Sequence, residues 1–115
     1  MLGDTLTVTL PVGGAKVLNK INQDGYTSEY FLKGTLSEYR AKVRHSTATS
    51  GGVTRERHNV EFTEKVYATA TVAEYVRKVY LVFENVPNDV DDDNVLGFVA
   101  LFDAAFVEDL VGWES

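Results

Sequence analysis

Apolar and polar residues alternate one by one over most of the first 84 positions, and only after them do apolar residues recur every three or four. Period two marks a strand with one buried face; a period near 3.6 marks a helix. Residues 4–10, DTLTVTL, set Leu6, Val8 and Leu10 against Thr5, Thr7 and Thr9. Pro11 ends that strand, Gly13 and Gly14 supply a turn, and a second strand runs over 15–21. NQDG at 22–25 is the next turn, and a short strand over 28–33 is closed by Gly34. Over 37–47, Tyr39, Ala41, Val43 and His45 share one face, and Glu38, Arg40, Lys42 and Arg44 the other. Residues 48–53, ATSGGV, read as a flexible hairpin loop. Over 55–63, His58, Val60 and Phe62 oppose Arg55, Arg57, Asn59, Glu61 and Thr63, and part of 64–71 reads as a connection. Residues 74–84 are the longest apolar strand, with Val79, Leu81 and Phe83 toward the core and Val76, Lys78, Tyr80 and Val82 away. The neighbouring Arg77 and Lys78 leave its register open by one residue.

NVPN at 85–88 breaks the strand, and the pattern turns helical. Asn88 or Asp89 is expected to cap a helix with Asp91, Asp92 and Asp93 in its first turn, where carboxylates meet the positive end of the helix dipole. Val95, Phe98, Val99, Phe102 and Phe106 follow at helical spacing, but Leu96, Ala100 and Leu101 leave no polar face between Val95 and Phe102. A helix apolar all round is buried on more than one side. The chain's own sheet is expected to cover one side and a second copy of the chain the other, with Val95, Phe98, Val99, Leu101, Phe102, Phe106 and Leu110 in the dimer interface. Asp103 is expected to cap a second helix over 104–111, ended by Gly112.

Strands followed by helices imply an α+β fold: an antiparallel meander with helices on one face. If the helices take Tyr39, Val43, Val60, Phe62, Val79, Leu81 and Phe83, the opposite face gathers Arg40, Lys42, Arg44, Arg55, Arg57, Asn59, Lys78 and Tyr80. Phosphates call for Lys and Arg, and unpaired bases for a stacking ring and polar edges. On any one strand such residues are more often a solvated face. Three strands of one sign shift the balance toward a nucleic acid, although Glu38 and Glu61 dilute the patch.

Charge is segregated along the chain. The net charge is −6, yet residues 79–115 contain no Lys or Arg, and 84–115 hold nine acids. The first 83 residues carry all eleven basic groups against the remaining eight acids, a net of +3. An acidic total therefore does not argue against a nucleic-acid partner. The length suits one domain. There is no cysteine, so disulfides and thiolate metal sites are excluded. No segment is apolar for long enough to span a membrane as a helix, and MLGDTLTV is not the pattern of a signal peptide. His45 and His58, with Glu56 or Glu64 nearby, are the one constellation with catalytic or metal-binding chemistry. Such pairs are more often packing residues, and no enzyme activity, metal or other cofactor is expected. The acidic run 89–93 lacks the glycine and distal glutamate of a calcium loop.

The order of elements, with TLTVTLPVGGAKVLNKI at 5–21, YRAKVRHS at 39–46, RERHNVEFT at 55–63 and VEDLV at 107–111, resembles the coat proteins of small single-stranded RNA bacteriophages of the levivirus type, closest to the Pseudomonas-infecting members. The resemblance implies a single coat domain over 1–115, with an N-terminal hairpin (1–21), a five-stranded antiparallel sheet completed within 22–84, and two helices (88–113) that interlock in a homodimer. It implies an icosahedral shell around phage RNA, a virion assembled in the host cytoplasm, and no membrane partner. It places Arg40, Lys42 and Arg44 on a first RNA-facing strand, Arg57, Asn59 and Glu61 on a second, and Lys78 and Tyr80 on a third. The same face in that family binds an RNA hairpin at the replicase start and represses translation. The connection at 64–73 stands where such shells have a loop around symmetry axes. The contrasting expectation is a cellular dimeric α+β module that holds a peptide or small ligand on its sheet.

Overall fold

The computed structural model describes residues 2–114. Its strands are β1 Thr5–Leu10, β2 Gly14–Asp24, β3 Thr27–Lys33, β4 Ser37–Ser50, β5 Val53–Val66 and β6 Tyr75–Asn85. They form a single antiparallel sheet in sequence order. The N-terminal hairpin is therefore part of one six-stranded sheet rather than an addition to a five-stranded one. Hydrogen bonding between β2 and β3 joins them, from Asn19 opposite Phe31 to Asp24 opposite Thr27. A bulge between Lys20 and Asn22 interrupts that ladder, and bulges bend a strand and increase its twist.

The long hairpin of β4 and β5 is more regular than its sequence suggests. Each strand has 14 residues. Gly51 and Gly52, at φ of 60° and 78°, close it in two residues. Successive positive φ values match the twist of the flanking strands, and only glycine adopts them without strain. The expected loop at 48–53 is thus mostly strand, with the Thr49 and Thr54 hydroxyls 3.0 Å apart across the pair. Likewise β2 runs through the expected turn at 22–25 as far as Asp24, and β5 runs through Val66, leaving 67–74 as the connection to β6. There Tyr67 N donates to the Leu36 carbonyl at 3.0 Å and Thr69 N to the Val72 carbonyl at 2.8 Å.

The sheet curls on its apolar face. Leu18 and Tyr30 are fully buried, and Tyr39, Ala41 and Val43 nearly so, with Leu6, Leu10, Leu32 and Phe62 packed against them. The Lys16 ammonium lies 5.5 Å from the Tyr39 ring centroid, which brings β2 over β4. The Tyr30 hydroxyl, at the centre of this core, donates to the Gly3 carbonyl at 2.9 Å and fastens the N-terminus. Tyr30→Phe strands that carbonyl without adding volume. The expected cost is about 1 kcal/mol, read as a fall of a few degrees in Tm with the strand circular-dichroism signal unchanged.

The helices are α1 Asp93–Ala100 and α2 Ala104–Val111. Asp103 caps α2 as its sequence predicts, its Oδ1 accepting from Phe106 N at 2.9 Å. Helix α1 starts later than expected. Its N-cap is Asp92, without a side-chain cap bond, and only Asp93 lies in its first turn. The preceding carboxylates turn the chain instead: Asp89 Oδ1 accepts from Asp91 N and Asp91 Oδ1 from Asp93 N, both at 3.1 Å. Aspartate bonds nearby backbone as readily as it caps, which delays the helix. Gly112 ends α2, but the left-handed residue is Trp113, at φ 67°. Glu114 N then donates to the Asp109 carbonyl at 2.9 Å and Trp113 N to the Leu110 carbonyl at 3.1 Å, the Schellman closure.

Among the described residues, neither helix buries a residue or packs extensively on a strand of its own chain. The expectation that the chain's own sheet covers one side of α1 is therefore wrong. The helices form an arm that leaves the sheet at Asn85, stiffened by an aromatic ladder: Phe98 meets Phe102, and Phe102 meets Phe106, edge to face at 5.3 and 5.2 Å. The radius of gyration, 16.8 Å, exceeds the roughly 13 Å of a compact domain near this length.

Candidate nucleic-acid interface

Cross-strand register decides what the second sheet face contains. Residues paired across an antiparallel ladder share a face, so the pairings build rows across the sheet. Phe31, Arg40, Thr63 and Lys78 form one row, and Glu29, Lys42, Glu61 and Tyr80 the next. Thr27, Arg44, Asn59 and Val82 form a third, followed by Ser46, Arg57 and Glu84, and then Ala48 with Arg55. All eight residues singled out in the sequence, Arg40, Lys42, Arg44, Arg55, Arg57, Asn59, Lys78 and Tyr80, lie on this one face. The open register of β6 resolves with Val79 opposite Phe62, Leu81 opposite Val60 and Phe83 opposite His58, all on the other face.

The cations on this face are not equivalent. Arg40 is paired with Glu29 and lies 4.0 Å from Glu38. Lys78 is 3.3 Å from Glu61, and Lys65, on the same face, lies between Glu38 at 4.0 Å and Glu74 at 3.7 Å. Among the described residues, Lys42, Arg44, Arg55 and Arg57 make no ion pair. The uncompensated charge thus forms a strip along the β4–β5 hairpin toward Gly51 and Gly52, while the end near Glu38 is self-neutralised. Tyr80 is 65 % exposed, a ring open to stacking. Asn59 Oδ1 is buried without a hydrogen-bond partner.

Two further groups on this face were not singled out in the sequence. Phe31 carries the Arg40 guanidinium 4.9 Å above its ring, and Glu29 takes the Arg40 ion pair. Alternation within SEYFLK would have placed both, but only the pairing of β3 with β4 brings them to Arg40 and Lys42.

The opposite face is apolar and open. Val60 is 40 % exposed and Val79 68 %. The arm exposes Leu96, Phe98, Val99, Leu101, Phe102 and Leu110, while Val95 and Phe106 are half-buried. Apolar surface this extensive marks a contact surface on a protein that stays in solution. At the edge of the apolar face Glu64 accepts from Arg77 at 3.0 Å, a bond that raises the guanidinium's hold on its proton. His45 and His58 are on this apolar face, as expected, and Glu56 rather than Glu64 is the carboxylate beside them, 3.9 Å from His58 Nε2. Among the described residues there is no cluster of three or more groups suited to a metal ion, and no helix long and apolar enough to cross a membrane.

The sequence model of the phage phiCb5 coat protein family matches residues 3–86. The chain belongs to that family. The matched region carries all six strands and stops one residue past β6. No curated protein matches the chain. Family membership makes the chain a structural protein of a phage capsid, one that assembles with other subunits and resides in the virion.

Proposed function

We propose that this coat protein forms an interlocked homodimer whose copies assemble into an icosahedral shell around single-stranded phage RNA, in the manner of the levivirus type. The observation that carries the reading is that one chain leaves two complementary surfaces open: an apolar outer sheet face and an apolar helical arm of matching character. A twofold dimer in which each arm crosses the partner's sheet closes both at once. The edge of β6 supports the same arrangement. Eleven residues, Tyr75–Asn85, present an unpaired row of backbone donors and acceptors. An open edge of that length invites association unless a second strand occupies it. A second copy of β6 satisfies it.

The charged face then lines the inside of the shell. Lys42, Arg44, Arg55 and Arg57 neutralise phosphates, which is the sequence-independent term that packaging needs. Tyr80 and Asn59 are the groups on that face suited to stack on a base or to pair with its edge, and a hairpin at the replicase start is the RNA they would select as repressor. Assembly in the host cytoplasm follows from the need for newly made RNA and coat protein to meet.

The test is the size of the protein made in a bacterial host, with absorbance at 260 and 280 nm across the column. A megadalton peak rich in nuclease-protected RNA, with uniform spheres under the electron microscope, is expected. A clean dimer free of nucleic acid, even with RNA added, would overturn the shell and favour a dimeric binding module.

A further inference from the structure

Two lysines stand on the apolar face, where the strand pattern calls for apolar residues. Lys16, Leu18 and Lys20 alternate on β2, and Leu18 between them is fully buried. The Lys16 ammonium lies 5.5 Å from the Tyr39 ring centroid, and the Lys20 ammonium 5.7 Å from that of Tyr30. Both lysines are half-buried. Their aliphatic stems cover the core while the charged heads stay wet at its rim. Lys20 donates to a neutral acceptor, Gln23 Oε1, at 2.7 Å. Its backbone N–H bonds the Asp4 carbonyl across the ladder at 2.8 Å. Among the described residues neither lysine makes an ion pair, with Asp4 or any other carboxylate.

The pairings lead from Lys20 straight to the open edge of the sheet. Lys20 faces Tyr30, Tyr30 faces Ala41, Ala41 faces Phe62, and Phe62 faces Val79. Exposure rises along this row. Tyr30 and Ala41 are buried, Phe62 is half-buried and Val79 is open. The apolar floor is therefore open over β5 and β6. It is closed at β4 by the curled β1–β2 hairpin, with the lysines on the closing wall. Anything entering from β6 meets apolar surface first and positive charge last.

The helical arm carries the complementary order. From Val95 to Phe102 it has no charged residue, and beyond that every charge is negative. Asp103 is engaged as the cap of α2. Glu108 and Asp109 are exposed and, among the described residues, make no ion pair. The lengths agree as well. In the dimer proposed above, an arm crossing the joined β6 edges reaches the partner's β4 after three strand spacings, about 14 Å. From Asp93 to Asp103 the arm advances about 15 Å at helical rise. Uncharged α1 then lies over β6 and β5, and α2 arrives at the lysines.

We infer that Lys16 and Lys20 receive the partner's Glu108 and Asp109, and that this charge contact sets how deeply the arm enters. The inference rests on the proposed dimer and adds what fixes its register. An arm apolar all round has no preferred rotation or depth, because burial is non-directional. Opposite charges at the far end supply both, and they penalise any placement that leaves them unpaired. The contact is made in trans. Among the described residues the arm packs extensively on no strand of its own chain, and β2 lies four strands from the β6 it leaves.

The test uses two full-length variants, Lys16→Glu with Lys20→Glu and Glu108→Lys with Asp109→Lys, made together in one bacterial host. Each variant alone sets like charges against each other at both contacts of a twofold dimer. A mixed dimer sets opposite charges at both. Native mass spectrometry counts the dimers by mass. Indifferent chains give about half mixed dimers, and the expected share is above about nine-tenths. The arm variant also serves alone should the lysine variant fail to fold, because the sheet core includes no arm residue. Its dimer dissociation constant, read by sedimentation, is expected to rise at least about tenfold at low salt. It should return toward the wild-type value at about 1 M salt, where the screening length is about 3 Å. A half share of mixed dimers, or an arm variant that dimerises like the wild type at low salt, would overturn the contact. A wild-type chain that forms no dimer would instead overturn the dimer reading.

Discussion

Phe102→Asp is expected to leave a folded chain that no longer dimerises and forms no shell. Phe102 is the middle ring of the Phe98–Phe102–Phe106 ladder, yet 45 % exposed within its own chain. In the dimer proposed above, its cover comes from the partner copy. Removing a buried Phe side chain costs about 3–5 kcal/mol. A twofold dimer loses it twice, so the dissociation constant rises by more than about 10,000-fold. The introduced carboxylate adds the cost of burying a charge. The sheet should survive, because its core of Leu18, Tyr30, Tyr39, Ala41 and Val43 includes no arm residue. Sedimentation then shows a monomer at micromolar concentration with the strand circular dichroism of the wild type. An assembly of unchanged size would remove Phe102 from the interface.

The second large effect is on RNA. Replacing Lys42, Arg44 and Arg57 together by Ser is expected to reduce packaged RNA sharply while the dimer persists. Each phosphate contact to a single strand contributes about −0.7 to the slope of log affinity against log salt, so losing three should flatten that slope by about 2. Arg40→Ser is the informative contrast. Its guanidinium is already shared between Glu29 and Glu38, so a phosphate gains less from it. Filter binding of a model hairpin across a salt series measures both. An unchanged slope in the triple variant would move the RNA to another surface.

Faces were legible in the sequence because period two is a local property. Tyr39, Ala41, Val43 and His45 fall on one side of β4 whatever the strand pairs with. The Asp103 cap was legible for the same reason, since side chain and amide are three residues apart. Local rules failed where alternatives compete. Asp89 and Asp91 bond the turn rather than the helix start. Ala48, Thr49 and Ser50 pair across a hairpin rather than forming a loop. Trp113, not Gly112, takes the left-handed position at the end of α2.

The sequence alone determined the α+β order, the two unlike faces, the absence of Lys and Arg from the last third and an arm too apolar to stand by itself. All of these follow from residues a few positions apart. Tertiary structure decided which charges on the basic sheet face remain uncompensated, because Glu29 and Arg40 meet only through the register of β3 against β4. It decided that the hairpin joins the sheet, through the β2–β3 ladder. It also decided that the arm leaves its own sheet uncovered. Hydrophobic periodicity states that a face must be buried, but burial is non-directional, and only the path of the chain beyond Asn85 shows that its own sheet does not cover the arm.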